Sequence, residues 1–287
     1  MSKPPATIPS DRFPMRLVAA HRVTLAIQVC AWGAVLLHEL HWQDGLLLLG
    51  FNLAGLFALV LCPRCRLLGP NLVRLAEGDA ASGAVALTFD DGPDPTVTPQ
   101  VLDILDRYGA RASFFCIGER AARHPELIRE ILHRGHTVEN HSQRHAVGFA
   151  AFSSRALQAD VLAAQQVLQT TGATPRYFRA PMGFRSPLLA EVLRRADLTH
   201  VAWTRRGYDR VLRDPLRIYA ALTQGLAPGD ILLLHDYAGL DSRPATVLEV
   251  LPRLLDYLSQ QELHAVALPP PHIQHAAEAS GTAALRS

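Results

Sequence analysis

From residue 84 to residue 268, short apolar runs alternate with longer stretches of helical spacing, and no other feature of the 287-residue chain limits its fold as tightly. In the first run Val85, Leu87 and Phe89 alternate with smaller residues, as in a short buried strand. Runs of the same character recur at 112–118, 136–141, 177–181, 198–203, 230–235 and 264–268. Between them, helical spacing is expected at 97–108, 119–134, 153–171, 187–196, 215–226 and 246–260. Strand and helix in strict alternation predict a parallel sheet, open or closed into a barrel, with functional residues where strands end.

Ahead of this region lie two apolar stretches, 23–42 and 45–62, long enough to cross a bilayer as helices. The reading is a polar leader at 1–22, a transmembrane hairpin at 23–70 and a linker at 71–83. The 84–268 domain follows, with a disordered tail at 269–287. The first stretch is too long for a signal peptide and a second follows at once. Two buried helices of a soluble domain are the alternative. Lys3, Arg12, Arg16 and Arg22 precede the first stretch, Arg64, Arg66 and Arg74 follow the second, and the connection between them has neither Lys nor Arg. That asymmetry predicts that both ends, and with them the large domain, lie on the cytoplasmic face of the membrane. Free cysteines suit that side: Cys30, Cys62, Cys65 and Cys116 make no disulfide framework, and a lone Cys62–Cys65 pair is half a metal or redox site at most. A net charge of +2, from 28 basic and 26 acidic residues with no basic stripe, excludes nucleic acid as a partner.

The chemistry is expected at the strand ends. The first strand closes on Asp90 and Asp91 before Gly92 and Pro93 break it. Two adjacent carboxylates repel, and a metal ion would offset that; a solvated Asp/Gly/Pro turn explains the same residues. The third ends in His141-Ser142-Gln143-Arg144-His145, whose two imidazoles point the same way if a helical turn follows the strand. With Asp91 they form a two-histidine, one-carboxylate set that leaves positions open on a divalent ion. The fourth ends in Arg179-Ala180-Pro181-Met182-Gly183, the fifth leads through Trp203 to Asp209, and the sixth ends in Leu233-Leu234-His235.

In that order these fragments resemble the NodB-type polysaccharide deacetylase domain, carbohydrate esterase family 4, from about residue 84 to 268. The correspondence is TFDDGP at 88–93, HSQRH at 141–145, RAPMG at 179–183, the loop from Trp203 to Asp209, and LLH at 233–235. The resemblance implies an α/β fold, a distorted (β/α) barrel of about seven parallel strands, and N-acetyl amino-sugar deacetylation. It also implies Asp91, His141 and His145 as ligands of a divalent metal, zinc first, with cobalt, nickel or iron as alternatives. Asp90 would be the general base paired with Arg179, and His235 the general acid tuned by Asp209. The backbone N–H of Met182 would hold the oxyanion, with Trp203 among the substrate-side residues; Leu233, two residues before His235 on the same strand face, lines a pocket sized for an acetyl methyl. Where the family has an aromatic residue, this chain has Met182; where it often has Asp and Trp, this chain has Arg206 and Arg210. Arg205, Arg206, Arg210 and Arg213 therefore make a basic substrate wall, either a solvated loop or a site for an anionic group. The expected partners are the membrane and an amino-sugar glycan or lipid-linked saccharide. The rival substrates are chitooligosaccharide, peptidoglycan or exopolysaccharide, and the rival class is a catalytically silent glycan-binding membrane protein.

Overall fold

The structure is a computed structural model and describes residues 18–239 and 245–271. Most of the expected leader and nearly all of the expected disordered tail lie outside the described residues. The strands are β1 Ala84–Asp90, β2 Ser113–Cys116, β3 Thr137–Asn140, β4 Tyr177–Phe178, β5 Thr199–His200, β6 Arg205–Arg206, β7 Ile231–His235 and β8 His264–Val266. The helices are α1 Ala19–Leu36, α2 Trp42–Val60, α3 Glu77–Ala81, α4 Thr98–Arg107, α5 Gly118–Arg123, α6 Pro125–His133, α7 Ser154–Thr170, α8 Leu189–Arg195, α9 Pro215–Thr223 and α10 Val247–Gln260.

All strand pairs are parallel, in the order β5-β4-β3-β2-β1-β7-β6, with β8 against the first half of β1. The sheet curls into a half-barrel. Leu87 and Phe89 of β1 and Leu232 and Leu234 of β7 sink into the main hydrophobic core with α4 and α10. Each such fully buried side chain is worth about 1.5–3 kcal/mol. Because side chains alternate along a strand, Thr88, Asp90, Leu233 and His235 face the other way, into the barrel. The register sets Asp90 directly beside His235.

All seven expected runs form strands, and β6, a two-residue strand in the 203–209 loop, adds an eighth. The helix expected over 119–134 is instead two, α5 and α6. Pro125 cannot donate the hydrogen bond a continuous helix needs, and His124 before it is non-helical at φ −131°, ψ 57°.

Residues expected as linker are built into the barrel. Leu72 forms a parallel bridge with Val201, and Leu75 N–H donates to Gly229 O at 2.9 Å. Arg74 donates to Asp230 Oδ1 at 2.7 Å and to Pro228 O at 2.7 Å. The segment thus spans from the β5 side of the sheet to the start of β7.

The two apolar stretches form helices long and apolar enough to cross a membrane, 18 and 19 residues with mean hydropathies of 1.3 and 1.6. They begin and end earlier than expected, with the turn at 37–41. Only 11% and 6% of their residues are buried, so neither is a core helix. The end of α2 is tied to the barrel: Arg185 N–H donates to Val60 O at 3.2 Å, and the fully buried Arg185 guanidinium donates to Cys65 O at 2.7 Å, Leu68 O at 3.1 Å and Pro70 O at 3.1 Å. Arg64 donates to the carbonyls of Trp203 (2.9 Å) and Thr204.

Candidate active site

The expected residues of all five clusters converge on the carboxyl end of the half-barrel. Asp90, the last residue of β1, is buried, and its Oδ1 accepts from Arg179 Nη1 at 2.6 Å. Arg179 is wholly buried and over-determined. The same nitrogen reaches Thr88 Oγ1 at 2.9 Å, Nε and Nη2 reach the carbonyls of Val201 (3.3 Å) and Ala202 (3.2 Å), and the guanidinium lies 4.1 Å from the Phe115 ring centroid. Oδ2 of Asp90 is left facing His141 Nε2 at 3.8 Å.

Asp91 follows in a left-handed conformation, φ 74°. Its Oδ1 is buried without a hydrogen-bond donor and lies 3.5 Å from His141 Nε2 and 3.3 Å from His145 Nε2. His141 Nδ1 is 2.9 Å from the Arg179 carbonyl, which can only accept, so Nδ1 carries the proton and Nε2 keeps its lone pair. Burial raises the Asp91 carboxyl pKa, but the imidazole of His141 facing it, with His235 and His145 nearby, outweighs that and holds the group well below the usual carboxylate range. Burial lowers His145 to about 4, which keeps its ring neutral. One anionic oxygen and two neutral imidazole nitrogens, all within 4.8 Å of one another, fit a divalent cation.

No helical turn brings the two histidines together, contrary to the expectation from their spacing. Residues 141–145 form a knot of side-chain hydrogen bonds in which Ser142 and His145 take left-handed φ of 67° and 50°. Asn140 Oδ1 accepts from Ser142 N–H at 2.9 Å, Ser142 Oγ from His145 N–H at 2.9 Å, and Asp160 Oδ1 from Gln143 N–H at 2.8 Å. Of the eight non-glycine residues at positive φ among the described residues, Asp91, Ser142, His145, Met182 and Tyr208 all belong to these strand-end loops. Such conformations persist where surrounding contacts over-determine them. Gly183, at φ 80°, is needed for close approach as well: a Cβ there would lie 2.4 Å from the Trp203 ring and 3.1 Å from Pro63.

Next to Asp90 in the register, His235 closes β7. Asp209 clamps it twice, with Oδ1 at 2.9 Å from Nδ1 and Oδ2 accepting the His235 backbone N–H at 2.8 Å. Burial alone would lower the His235 pKa, but the Asp209 charge and hydrogen bond, with Asp91 and Asp90 beyond, raise it. Leu233 and Trp203 are buried beneath the site. Arg206 lies over the rings of Trp203 (5.4 Å) and Tyr208 (5.2 Å), while Arg210 Nη1 reaches Asp91 Oδ2 at 3.1 Å. Arg205 faces away, holding Asp230 at 3.0 Å and the carbonyls of Gln224 and Gly225. The expected arginine wall therefore separates into residues with different tasks.

Sequence reasoning missed two parts of the site. Asp236 is buried behind Asp91, accepts from Thr98 Oγ1 at 2.6 Å and is pushed up to about 7 by burial. It explains Gly92, where a Cβ would sit 2.2 Å from Asp236 Oδ2. Arg120 donates to the Asp91 carbonyl at 2.5 Å and stacks on Tyr237 at 3.5 Å. The acid following the strand-end histidine was a usable signal for the first, and nothing in the local pattern marks Arg120.

Comparison with known proteins places this arrangement. Residues 77–201 match the polysaccharide deacetylase family. A peptidoglycan-N-acetylglucosamine deacetylase of Bacillus cereus is 37% identical over 180 residues, 62% of this chain and 82% of its own length. A chitooligosaccharide deacetylase of a Bradyrhizobium species is 36% identical over 167 residues, 57% of this chain and 76% of its own. Among solved structures, a family 4 carbohydrate esterase from Streptomyces lividans, in complex with acetate, superposes with a TM-score of 0.60 at 31% identity, covering 66% of this chain and 94% of that one. With the fold, the strand-end clusters and these relatives in agreement, the chain belongs to the polysaccharide deacetylase family, carbohydrate esterase family 4.

Proposed function

We propose that the protein is a membrane-anchored, metal-dependent hydrolase that removes the N-acetyl group from an amino sugar, with the leader, hairpin, catalytic domain and tail expected from the sequence and the 71–83 segment packed onto the barrel. The observation that carries this reading is the split between the two carboxylates: Asp91 with His141 and His145, Asp90 with Arg179.

Asp91, His141 and His145 would hold the cation. A divalent metal held there would supply Lewis acidity towards the acetamide carbonyl and a lowered pKa for water. Asp90 accepts the proton as water attacks, the direction of its Oδ2 fixed by the Arg179 bond to Oδ1. The Met182 backbone N–H, presented by a left-handed turn at φ 56°, stabilises the developing oxyanion. His235, kept protonated by Asp209, donates from Nε2 to the departing amine, which is otherwise a poor leaving group. Leu233 and Trp203 give an apolar floor for the acetyl methyl, and Arg206 with Arg210 faces the sugar.

The exposed apolar hairpin and its close ties to the barrel through Arg64 and Arg185 support a permanent anchor over a cleaved signal. We place the domain on the cytoplasmic face from the asymmetry of basic residues, with a lipid-linked saccharide as substrate. The names of the Bacillus and Bradyrhizobium relatives favour a second reading, a deacetylase of peptidoglycan or chitooligosaccharide beyond the cytoplasm. Acetate release from N-acetyl amino sugars by the zinc- or cobalt-loaded full chain tests the activity, and absence of release from every one contradicts it. A reporter enzyme fused to the C-terminus tests sidedness: activity solely of a periplasmic reporter overturns the cytoplasmic placement.

A further inference from the structure

The candidate metal centre opens into a cavity of ≈ 230 Å³ lined by its own Asp91 and His145. Arg120, Arg123 and Arg144, which the mechanism above does not use, line the rest of it with Glu119 and Arg210. Four guanidinium groups thus face two carboxylates in one small volume. The carboxylates neutralise little of this charge. Arg144 meets Glu119 at 3.5 Å with its side chain 72% exposed, and Arg123 Nε donates to the Glu119 backbone carbonyl at 3.1 Å. Asp91 belongs to the candidate metal cluster, so a bound cation there takes up the charge that Arg210 now faces at 3.1 Å.

Two of the four are also preorganised. The Arg120 and Arg210 guanidiniums lie 3.5 and 4.8 Å from the centroid of the same ring, Tyr237, which fixes where each sits. Such an arrangement is costly when empty and favourable when an anion enters. One guanidinium fork suffices for a planar carboxylate. Several forks converging beside a solvent-open cavity suit a tetrahedral, multiply charged group.

We infer that this cavity is a phosphate subsite, and that the substrate carries a phosphate on or next to the amino sugar whose acetyl group is removed. The inference rests on the proposed deacetylase reading and adds the substrate class to it. The same phosphate chemistry belongs to a soluble sugar phosphate and to a sugar on a phosphorylated lipid carrier. The end of the apolar helix α2 favours the second source: Val60 O and Pro63 contact Arg185 and Gly183, in and just after the loop that bears Met182, so the site opens beside the hairpin.

The test compares kcat/KM of the metal-loaded full chain, in detergent or vesicles, on three substrates. These are the methyl glycoside of N-acetylglucosamine, N-acetylglucosamine 1-phosphate, and the same sugar phosphate on a polyprenyl chain. A preference of about tenfold or more for the phosphorylated sugars over the neutral one is expected. It should collapse towards unity in the Arg123→Gln/Arg144→Gln double variant and persist in Arg253→Gln, an equal charge change per residue on the far surface. Calorimetric titration of the metal-free and metal-loaded protein with glucosamine 1-phosphate should show tighter binding than methyl glucosaminide, lost in the double variant. A further gain on the polyprenyl substrate assigns the source to a lipid. Equal rates on all three, a preference that survives the double substitution, or a gain confined to the polyprenyl arm each overturns the phosphate subsite. If the wild type deacetylates none of them, the deacetylase reading fails, and the titration alone decides the subsite.

Discussion

The two walls of the cleft are held by different means. On the wall carrying Asp90, Asp91, His141 and His145, side chains are buried and fixed by partners from several strands, and the backbone takes left-handed turns to aim them. On the wall carrying Arg206 and Arg210, guanidinium groups rest on the rings of Trp203, Tyr208 and Tyr237 in a loop that includes a strand of only two residues. The first construction tolerates almost no change, because each group's position depends on the next. The second allows a different residue wherever it can lie on a ring. Reaction chemistry belongs with the rigid wall and substrate choice with the adaptable one. His235 sits between them, on a core strand but clamped by Asp209 from the loop.

Substitutions should separate the walls by size of effect. Truncating the proton donor, His235→Ala, is expected to lower kcat by about 10²–10⁴-fold with folding intact, read from acetate release and circular dichroism. Arg179→Met leaves a buried carboxylate without its partner and should cost about 3–5 kcal/mol of stability in chemical denaturation. Asp209→Asn removes the charge that raises His235. The acid form is then lost at lower pH, so the alkaline limb of the pH–rate profile should move down, whereas a purely structural Asp209 would change amplitude without moving the limb. Arg206→Gln, on the adaptable wall, should raise KM by about two- to fivefold and leave kcat within a factor of two. A loss from Arg206→Gln as large as that from His235→Ala would erase the distinction.

How much of this was legible in the sequence follows the same division. TFDDGP, HSQRH, RAPMG and LLH each end a strand of clear apolar character, so both the strand and its chemistry could be read, and the seven runs all became strands. The loop wall was less legible. Arg205 and Arg206 form a strand by pairing with Leu232 and Leu233 far along the chain, which no local pattern encodes. The 72–75 segment reads as linker because its role comes from Val201 and Gly229, again distant in sequence. The histidine spacing suggests a helical turn, because side-chain hydrogen bonds that impose left-handed φ leave no periodicity. The hairpin turn came early since His38, at φ 59°, ends α1 inside an apolar run. Arg64 and Arg74 flank the hairpin as orienting charges in the sequence, and in the fold both donate hydrogen bonds to the barrel.

The division of labour between Asp90 and Asp91 is the centre of the account. It is tested most directly by measuring bound zinc and acetate release side by side for Asp90→Asn and Asp91→Asn. Asp90→Asn should keep its metal and lose turnover by about 10²-fold or more, and Asp91→Asn should lose the metal itself. Substantial turnover in Asp90→Asn, or full metal occupancy in Asp91→Asn, would contradict it.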